Sequence, residues 1–134
     1  MKFTEKLQAS QLQSRSSICL ALNVRIDKLP MPMARIDDPM FPFARSIIDG
    51  TQDMVCAYSI DLAYYLSEAA AGMIALERIV RYIPDRFPII FDAKFGELGD
   101  SADRSARGAF EAFHADAVTF GSMPSQKTIE AFLK

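Results

Sequence analysis

The sequence predicts an α/β fold built from four consecutive βα units around a parallel sheet. Three observations support this prediction. Four short apolar runs are nearly continuous rather than alternating, as expected of strands that are covered on both faces. Segments with apolar residues at helical spacing lie between these runs. Prolines mark several of the boundaries, and such an alternation favours right-handed βαβ crossovers.

The strands are predicted, in chain order, at residues 18–24, 54–59, 88–91 and 117–120. The helices are predicted within residues 43–48, 62–71, 73–83 and 102–113, followed by a last helix that Ser125 can cap and that runs to Leu133. A single domain of residues 1–134 accounts for all of these elements, since 134 residues are enough for one core. Patterning alone does not distinguish half of an eightfold barrel from a small doubly wound sheet.

A long loop is predicted at residues 27–42, where prolines interrupt every other pattern. It carries Met31, Met33, Met40 and Phe41. Exposed Met and Phe side chains often mark a contact surface. We therefore expect this segment to be either a linker or a binding loop.

Bulk composition excludes several classes of partner. The formal net charge is -2, which implies no strong attraction to nucleic acid or to an anionic membrane. No apolar run approaches the roughly 18 residues that a membrane-spanning helix needs. We expect neither nucleic-acid binding nor a direct membrane span.

The cysteines and the single histidine bear on metal binding and on the cellular compartment. Cys19 and Cys56 each lie in an apolar run, which predicts buried free thiols in a reducing compartment. Because His114 is the only histidine and no Cys/His cluster exists, we expect no metal site and no cofactor. Residues 1–17 lack the apolar segment of a secretory signal. Their basic composition resembles that of an organelle-targeting segment, but we prefer the interpretation of a solvated first helix.

The most specific motif follows the third predicted strand, with the sequence Asp92-Ala93-Lys94-Phe95-Gly96-Glu97-Leu98-Gly99. It resembles the signature of the orotidine 5'-monophosphate decarboxylase family, and in particular its bacterial-type branch. Further segments resemble the same family in the same order along the chain, at residues 18–23, 47–51, 55–65 and 115–119. The resemblance implies the N-terminal half of a (β/α)8 TIM barrel, with four parallel βα units.

The family's chemistry depends on an alternating array of lysines and aspartates, and the chain matches only part of it. Asp92 and Lys94 occupy the two middle positions; two residues apart on a strand, they point to the same face. Barrel enzymes perform their chemistry at that end of the strand. By the resemblance, Ser59 replaces the first lysine, Glu97 replaces the last aspartate, and Asn23 replaces an aspartate of the first strand.

These departures imply a degenerate site. A reacting group displaced by about 1 Å can cost a hundredfold in rate. Barrels of this kind bind phosphate with loops after strands 7 and 8, which are not among the four units predicted here. We therefore expect no functional catalytic residue and interpret the family positions as vestigial, namely Asn23, Ser59, Asp92, Lys94 and Glu97.

Three hypotheses for function follow. The first is a catalytically inactive accessory subunit packed against other protein chains of a larger assembly, in the mitochondrion or the cytoplasm. The alternative is an orotidine 5'-monophosphate decarboxylase of pyrimidine biosynthesis that completes its site with a second chain. The third is a half-barrel that regulates an intact decarboxylase, through a homodimer or heterodimer contact made by residues 97–101, from Glu97 to Ser101.

Overall fold

The computed structural model describes residues 2–134. The strands are β1 (Cys19–Ala21), β2 (Ala57–Asp61), β3 (Ile89–Phe95) and β4 (Ala117–Phe120). The helices are α1 (Phe3–Ser14), α2 (Met31–Ala34), α3 (Met40–Thr51), α4 (Leu62–Leu66), α5 (Ala69–Tyr82), α6 (Asp100–Arg107) and α7 (Gln126–Phe132). A 3-10 turn at Ile26–Lys28 follows β1, and a π-helical turn at Gly108–Ala112 continues α6.

The strands form one parallel sheet in the order β1-β2-β3-β4, as a half (β/α)8 barrel requires. Sequential strands are therefore neighbours, and the predicted four parallel βα units are confirmed. The register aligns Ala21 with Ser59 and then Ser59 with Ile90, so the predicted strands meet at matching depths. One irregularity interrupts the ladder, a register shift between Phe91 and Phe95 on β3.

The hydrophobic core lies between the sheet and its helices. Strand residues that alternate along one face, such as Tyr58, Ile60 and Phe91, are almost fully buried among helix side chains such as Leu76 and Ile79. Burial of each such side chain contributes about 1.5–3 kcal/mol. This apolar contact gives the parallel sheet the helix cover that all-parallel sheets need.

The opposite face of the sheet is the one that turns inward in a complete barrel, and here we call it the inner face. Because the four apolar runs are nearly continuous rather than alternating, they predict that this face is apolar as well and costly to leave open. It is instead lined by small and polar side chains, with Ile90 as the large apolar exception; these residues are Cys19, Ala21, Asn23, Ser59, Asp61, Ile90, Asp92 and Thr119. The expected energetic cost is therefore smaller than the patterning predicted, because little apolar area is available to be lost to water.

Helix α1 attaches to the N-terminal ends of the strands, opposite to the end where barrels react. The Lys6 ammonium is 2.7 Å from an Asp116 carboxylate oxygen, and the Ser10 hydroxyl donates to the Cys56 carbonyl over 2.7 Å. Ser10 is buried and Lys6 is largely covered. The predicted first helix is thus present and is largely open to solvent, and the side that carries Lys6 and Ser10 packs on the strand ends.

The helix predicted at residues 62–71 is divided between two helices, α4 and the start of α5. The segment 62–71 breaks after α4, and Ala69 at the start of α5 has a left-handed φ of 50°. Gly72 explains how the two helices pack so closely. A Cβ atom there would lie 1.9 Å from the Tyr65 carbonyl oxygen, so only glycine fits.

The long loop is more ordered than predicted. Residues 31–34 form helix α2, and α3 already begins at Met40. Met40 is 1% exposed, and the Phe41 ring packs edge-on against Tyr82, so both belong to the core side of α3. The expectation of an exposed Met and Phe surface is wrong for these two residues. Met31 is the one that is largely exposed, at 66%.

The two cysteines differ in their exposure to solvent. Both are free, as predicted, and Cys56 is buried. Cys19 is exposed on the inner face, so the prediction that it is buried is wrong. The error arises because the apolar run of β1 alternates between a buried and an open face. Within residues 2–134, no helix combines the length and the hydropathy needed to cross a bilayer.

Candidate active site at the carboxyl ends of the strands

The polar side chains of the inner face converge where β2 and β3 end. Asp61 is the last residue of β2 and aligns with Asp92 on β3 in the parallel register. Neighbouring strands lie about 4.8 Å apart, so two carboxylates in register are close neighbours. A cation between them is needed to offset their repulsion.

Lys94 supplies that cation, and its backbone conformation is unusual. Its φ of 54° lies in the left-handed region, which a non-glycine residue adopts at a cost of about 1–3 kcal/mol. The residue falls within the register shift of β3, and its backbone N–H donates to the Thr119 hydroxyl oxygen over 3.1 Å. Such bulges re-aim side chains near active sites. Here the bulge directs the lysine back over the strand ends.

The Lys94 ammonium lies between two carboxylates. Its Nζ atom is 2.9 Å from an Asp92 oxygen and 3.2 Å from an Asp61 oxygen. The other Asp92 oxygen accepts from the Thr119 hydroxyl over 2.7 Å. The prediction that Asp92 and Lys94 share one face is therefore confirmed, with Asp61 and Thr119 added to them.

Both predicted residues are held in their charged forms. Hydrogen bonds from Thr119 and from Lys94 lower the pKa of Asp92. The hydrogen bond to Asp92, helped by the one to Asp61, raises the pKa of Lys94 above its ordinary value. At neutral pH the site is thus a carboxylate beside an ammonium, which can act as an anion and a proton donor respectively.

Asp61 is the most firmly anchored member of the group. One of its carboxylate oxygens accepts the Ala63 backbone N–H over 3.0 Å and thereby caps α4. Its own backbone N–H donates to the Asn23 side-chain oxygen over 3.1 Å. The family motif and the apolar patterning do not single out Asp61. Its position directly before a helix and two residues after Ser59 was the available signal.

Ser59 and Cys19 lie deeper on the inner face. Partial burial raises the pKa of the Cys19 thiol, and a hydrogen bond with Ser59 opposes this shift only in part. Ser59 has Ala21 on one side and Ile90 on the other. The position that the resemblance assigns to a lysine therefore holds a short neutral hydroxyl.

Glu97 is engaged away from the lysine. Its carboxylate accepts the Gly96 backbone N–H and the Ser105 hydroxyl, each over 3.0 Å. Burial is the largest single influence on Glu97 and opposes ionisation, but hydrogen bonds from its own N–H, from Gly96 and from Ser105 together lower the pKa. Glu97 does line the same open depression as Lys94 and Asp61, on its far side.

Of the five predicted positions, Asn23, Asp92 and Lys94 join this network, whereas Ser59 and Glu97 take no part in it. Among residues 2–134, no group of three or more His, Cys, Asp or Glu side chains is arranged to bind a metal ion. The arrangement offers acid–base and electrostatic chemistry.

A parallel half-barrel with its polar site at the carboxyl ends of the strands defines the class of (β/α)8-barrel proteins. Comparison with known proteins shows which barrel proteins the chain resembles. The chain is 37% identical, over 99% of its length, to 49% of an orotidine 5'-phosphate decarboxylase from Cupriavidus necator. It is 35% identical, over 99% of its length, to 47% of the enzyme of that name from Thermomicrobium roseum. No protein-family model matches it.

Solved structures agree. An orotidine-monophosphate decarboxylase structure from Toxoplasma gondii superimposes with a TM-score of 0.90 at 32% identity, covering 98% of this chain and 44% of that one. The Leishmania donovani UMP synthase gives a TM-score of 0.85 at 26% identity, over 99% of this chain and 28% of that one. Over its whole length the chain is similar to the N-terminal half of orotidine 5'-phosphate decarboxylases. It spans about half the length of the curated relatives it matches.

Proposed function

We propose that this chain contributes the carboxylate–lysine half of an orotidine 5'-phosphate decarboxylase site, which serves pyrimidine biosynthesis once a second half-barrel completes it. One observation carries the proposal. The Lys94 ammonium is held 2.9 Å from Asp92 at the carboxyl end of β3, where barrel enzymes react. The names of the relatives supply the substrate class.

In the proposed reaction, the bond between C6 of the pyrimidine and its carboxylate breaks, and carbon dioxide leaves. The electron pair stays on C6 and forms a carbanion, which the Lys94 ammonium stabilises and then protonates. Lys94 becomes a neutral amine and regains its proton from water. Asp92, ionised beside the substrate carboxylate, favours the departure of that charge as neutral carbon dioxide.

The remaining requirement is a grip on the substrate's phosphate. In barrels this grip comes from the loops after strands 7 and 8. Binding energy from such remote groups is used to lower the barrier at the reacting atom. We therefore expect the 134-residue chain alone to release no measurable carbon dioxide and to bind uridine monophosphate more weakly than micromolar.

A hybrid barrel tests the proposal. The chain is co-expressed with the C-terminal half of the Cupriavidus necator relative in a bacterial strain that lacks its own decarboxylase. Growth without uracil, and carbon dioxide release by the purified pair, are the expected results. Lys94→Met should slow both strongly, with carbon dioxide release reduced about a hundredfold or more. The matched control is Lys134→Met, which removes another exposed lysine from an aspartate pair.

An assembled hybrid that releases no carbon dioxide above a protein-free blank would contradict the catalytic proposal. The same result would favour the second candidate, an inactive accessory subunit bound to other protein chains. Ser59 supports that candidate, because it does not supply the cation that the resemblance implies at its position. Purification from the native source would distinguish them: many co-purifying chains indicate an assembly, whereas a single half-barrel partner indicates the enzyme or a regulatory pair through residues 97–101.

A further inference from the structure

Asp61 has contacts that neither the family motif nor helix capping alone explains. Its two carboxylate oxygens have different partners: one accepts the Ala63 backbone N–H at 3.0 Å, and the other contacts the Lys94 Nζ at 3.2 Å. Capping needs only the first of these contacts. The second joins β2 to the proton-donating lysine of the proposed mechanism.

Asp61 and Lys94 differ in how firmly their side chains are held. The Asp61 side chain is 19% exposed and is tied to α4 through its cap, while its backbone N–H is tied to Asn23 on the β1 side. The Lys94 side chain is 59% exposed and has four rotatable bonds. In such a pair the anchored carboxylate sets the geometry and the flexible ammonium follows it.

We propose that Asp61 is a positioning residue for Lys94: it draws the ammonium across the gap between β3 and β2, so that two carboxylates on adjacent strands fix its direction. With one carboxylate, the ammonium can rotate about its contact with Asp92. With two, it is confined to the space between the strand ends, and its third N–H points away from both acceptors. As a role in catalysis, this inference rests on the proposed decarboxylase function.

The charged groups around Lys94 are few. Asp92 faces it from its own strand and Asp61 from β2, while β4 contributes only the neutral Thr119 hydroxyl at its backbone. Glu97 lines the same depression, but Gly96 and Ser105 occupy its carboxylate. Removal of the Asp61 charge therefore leaves a single carboxylate in contact with the ammonium.

The test is the variant Asp61→Asn, because asparagine caps helices as well as aspartate does and so preserves α4. The control is Asp103→Asn, which removes the carboxylate from the Lys134 pair at 2.8 Å elsewhere. The chain is labelled with 13C at lysine Cε, mixed with the unlabelled complementary half-barrel and titrated by NMR. The Lys94 signal is assigned by its loss in Lys94→Arg.

The expected result is that Lys94 titrates at lower pH in Asp61→Asn than in the parent, and that it is unchanged in Asp103→Asn. In the hybrid barrel, Asp61→Asn should lower kcat by roughly ten- to a hundredfold with little change in KM. A Lys94 titration that is identical in Asp61→Asn and in the parent would overturn the inference, since a residue that only caps α4 would leave it unmoved. This readout needs no turnover, so it decides the role of Asp61 even if the hybrid is inactive and the proposed function fails.

Discussion

Each end of the sheet carries a lysine that pairs with an aspartate, yet the two ion pairs have opposite physical character. At the N-terminal end, Lys6 and Asp116 are 20% and 19% exposed, and Asp116 also accepts the Ile89 backbone N–H. At the carboxyl end, Lys94 is 59% exposed and its backbone is strained. The same residue types thus form a covered ion pair at one end and an exposed ammonium with a defined direction at the other.

The comparison separates stability from chemistry. A covered ion pair whose carboxylate also satisfies a backbone N–H is costly to break, because its partners remain in a poorly hydrated site. An exposed ammonium contributes little to stability, since water and salt screen it. Variants at the first end should therefore alter the unfolding transition, and variants at the second end should alter the reaction.

The largest expected effect is at the carboxyl end. In the completed hybrid barrel, Lys94→Met should reduce kcat by about a hundredfold to ten-thousandfold, the usual contribution of a positioned proton donor. The double variant Lys94→Met with Asp92→Asn should unfold at the same urea concentration as the parent. A clear loss of stability with full activity would reverse the assignment of the two ends.

The second effect is at the N-terminal end. Asp116→Ala removes the partner of Lys6 and leaves the Ile89 N–H without its acceptor. We expect a loss of about 2–3 kcal/mol in the free energy of unfolding. Urea denaturation followed by circular dichroism measures it, with Asp103→Ala as an exposed-pair control. An unchanged midpoint would mean that α1 does not stabilise the sheet.

The third prediction concerns the charge at Ser59, on the inner face near the carboxyl ends of the strands. Ser59→Lys introduces an amine on the inner face, two residues before Asp61 on the same strand. If the neutral hydroxyl limits the reaction, this variant should raise kcat/KM of the hybrid barrel about tenfold, through added stabilisation of the carbanion. Ser59→Met provides similar length without charge and should give no gain. Equal activities of the two variants would show that charge at this position is unimportant.

The smallest effect concerns the inner face between the two ends. Because partial desolvation of its sulfur on the open inner face raises the pKa of Cys19, its thiol is protonated at neutral pH, and alkylation should be slow there and accelerate as pH rises. Addition of the complementary half-barrel should slow Cys19 labelling several-fold, as judged by mass spectrometry with iodoacetamide. Cys56, which is buried, should stay unlabelled throughout. Equal Cys19 labelling with and without the complementary half would indicate that the inner face stays open.

Much of the fold could be predicted because local patterns determine it. The apolar runs located all four strands, and the Ser125 cap is present, with its hydroxyl oxygen accepting the Thr128 N–H over 3.1 Å. The errors were made where tertiary contacts dominate. The break at Ala69 and the early start of α3 at Met40 depend on packing between helices, which periodicity does not record.

The candidate site was predictable only in part. The spacing of Asp92 and Lys94 placed both on one face, as observed. Asp61 was missed because its role depends on the register between β2 and β3, a long-range property. The left-handed φ of Lys94 could not be predicted either, since glycine is the usual sequence signal of such a conformation and this residue is a lysine.

The small and polar lining of the inner face has a consequence for biosynthesis. Ribosomes extend a chain at about 5–20 residues per second, and N-terminal parts fold while later parts are still being made. A half-barrel whose open face presents residues such as Asn23, Asp92 and Thr119 exposes little apolar surface on that face for chaperones to bind. The inner face of the folded half-barrel therefore adds little apolar surface through which it could aggregate.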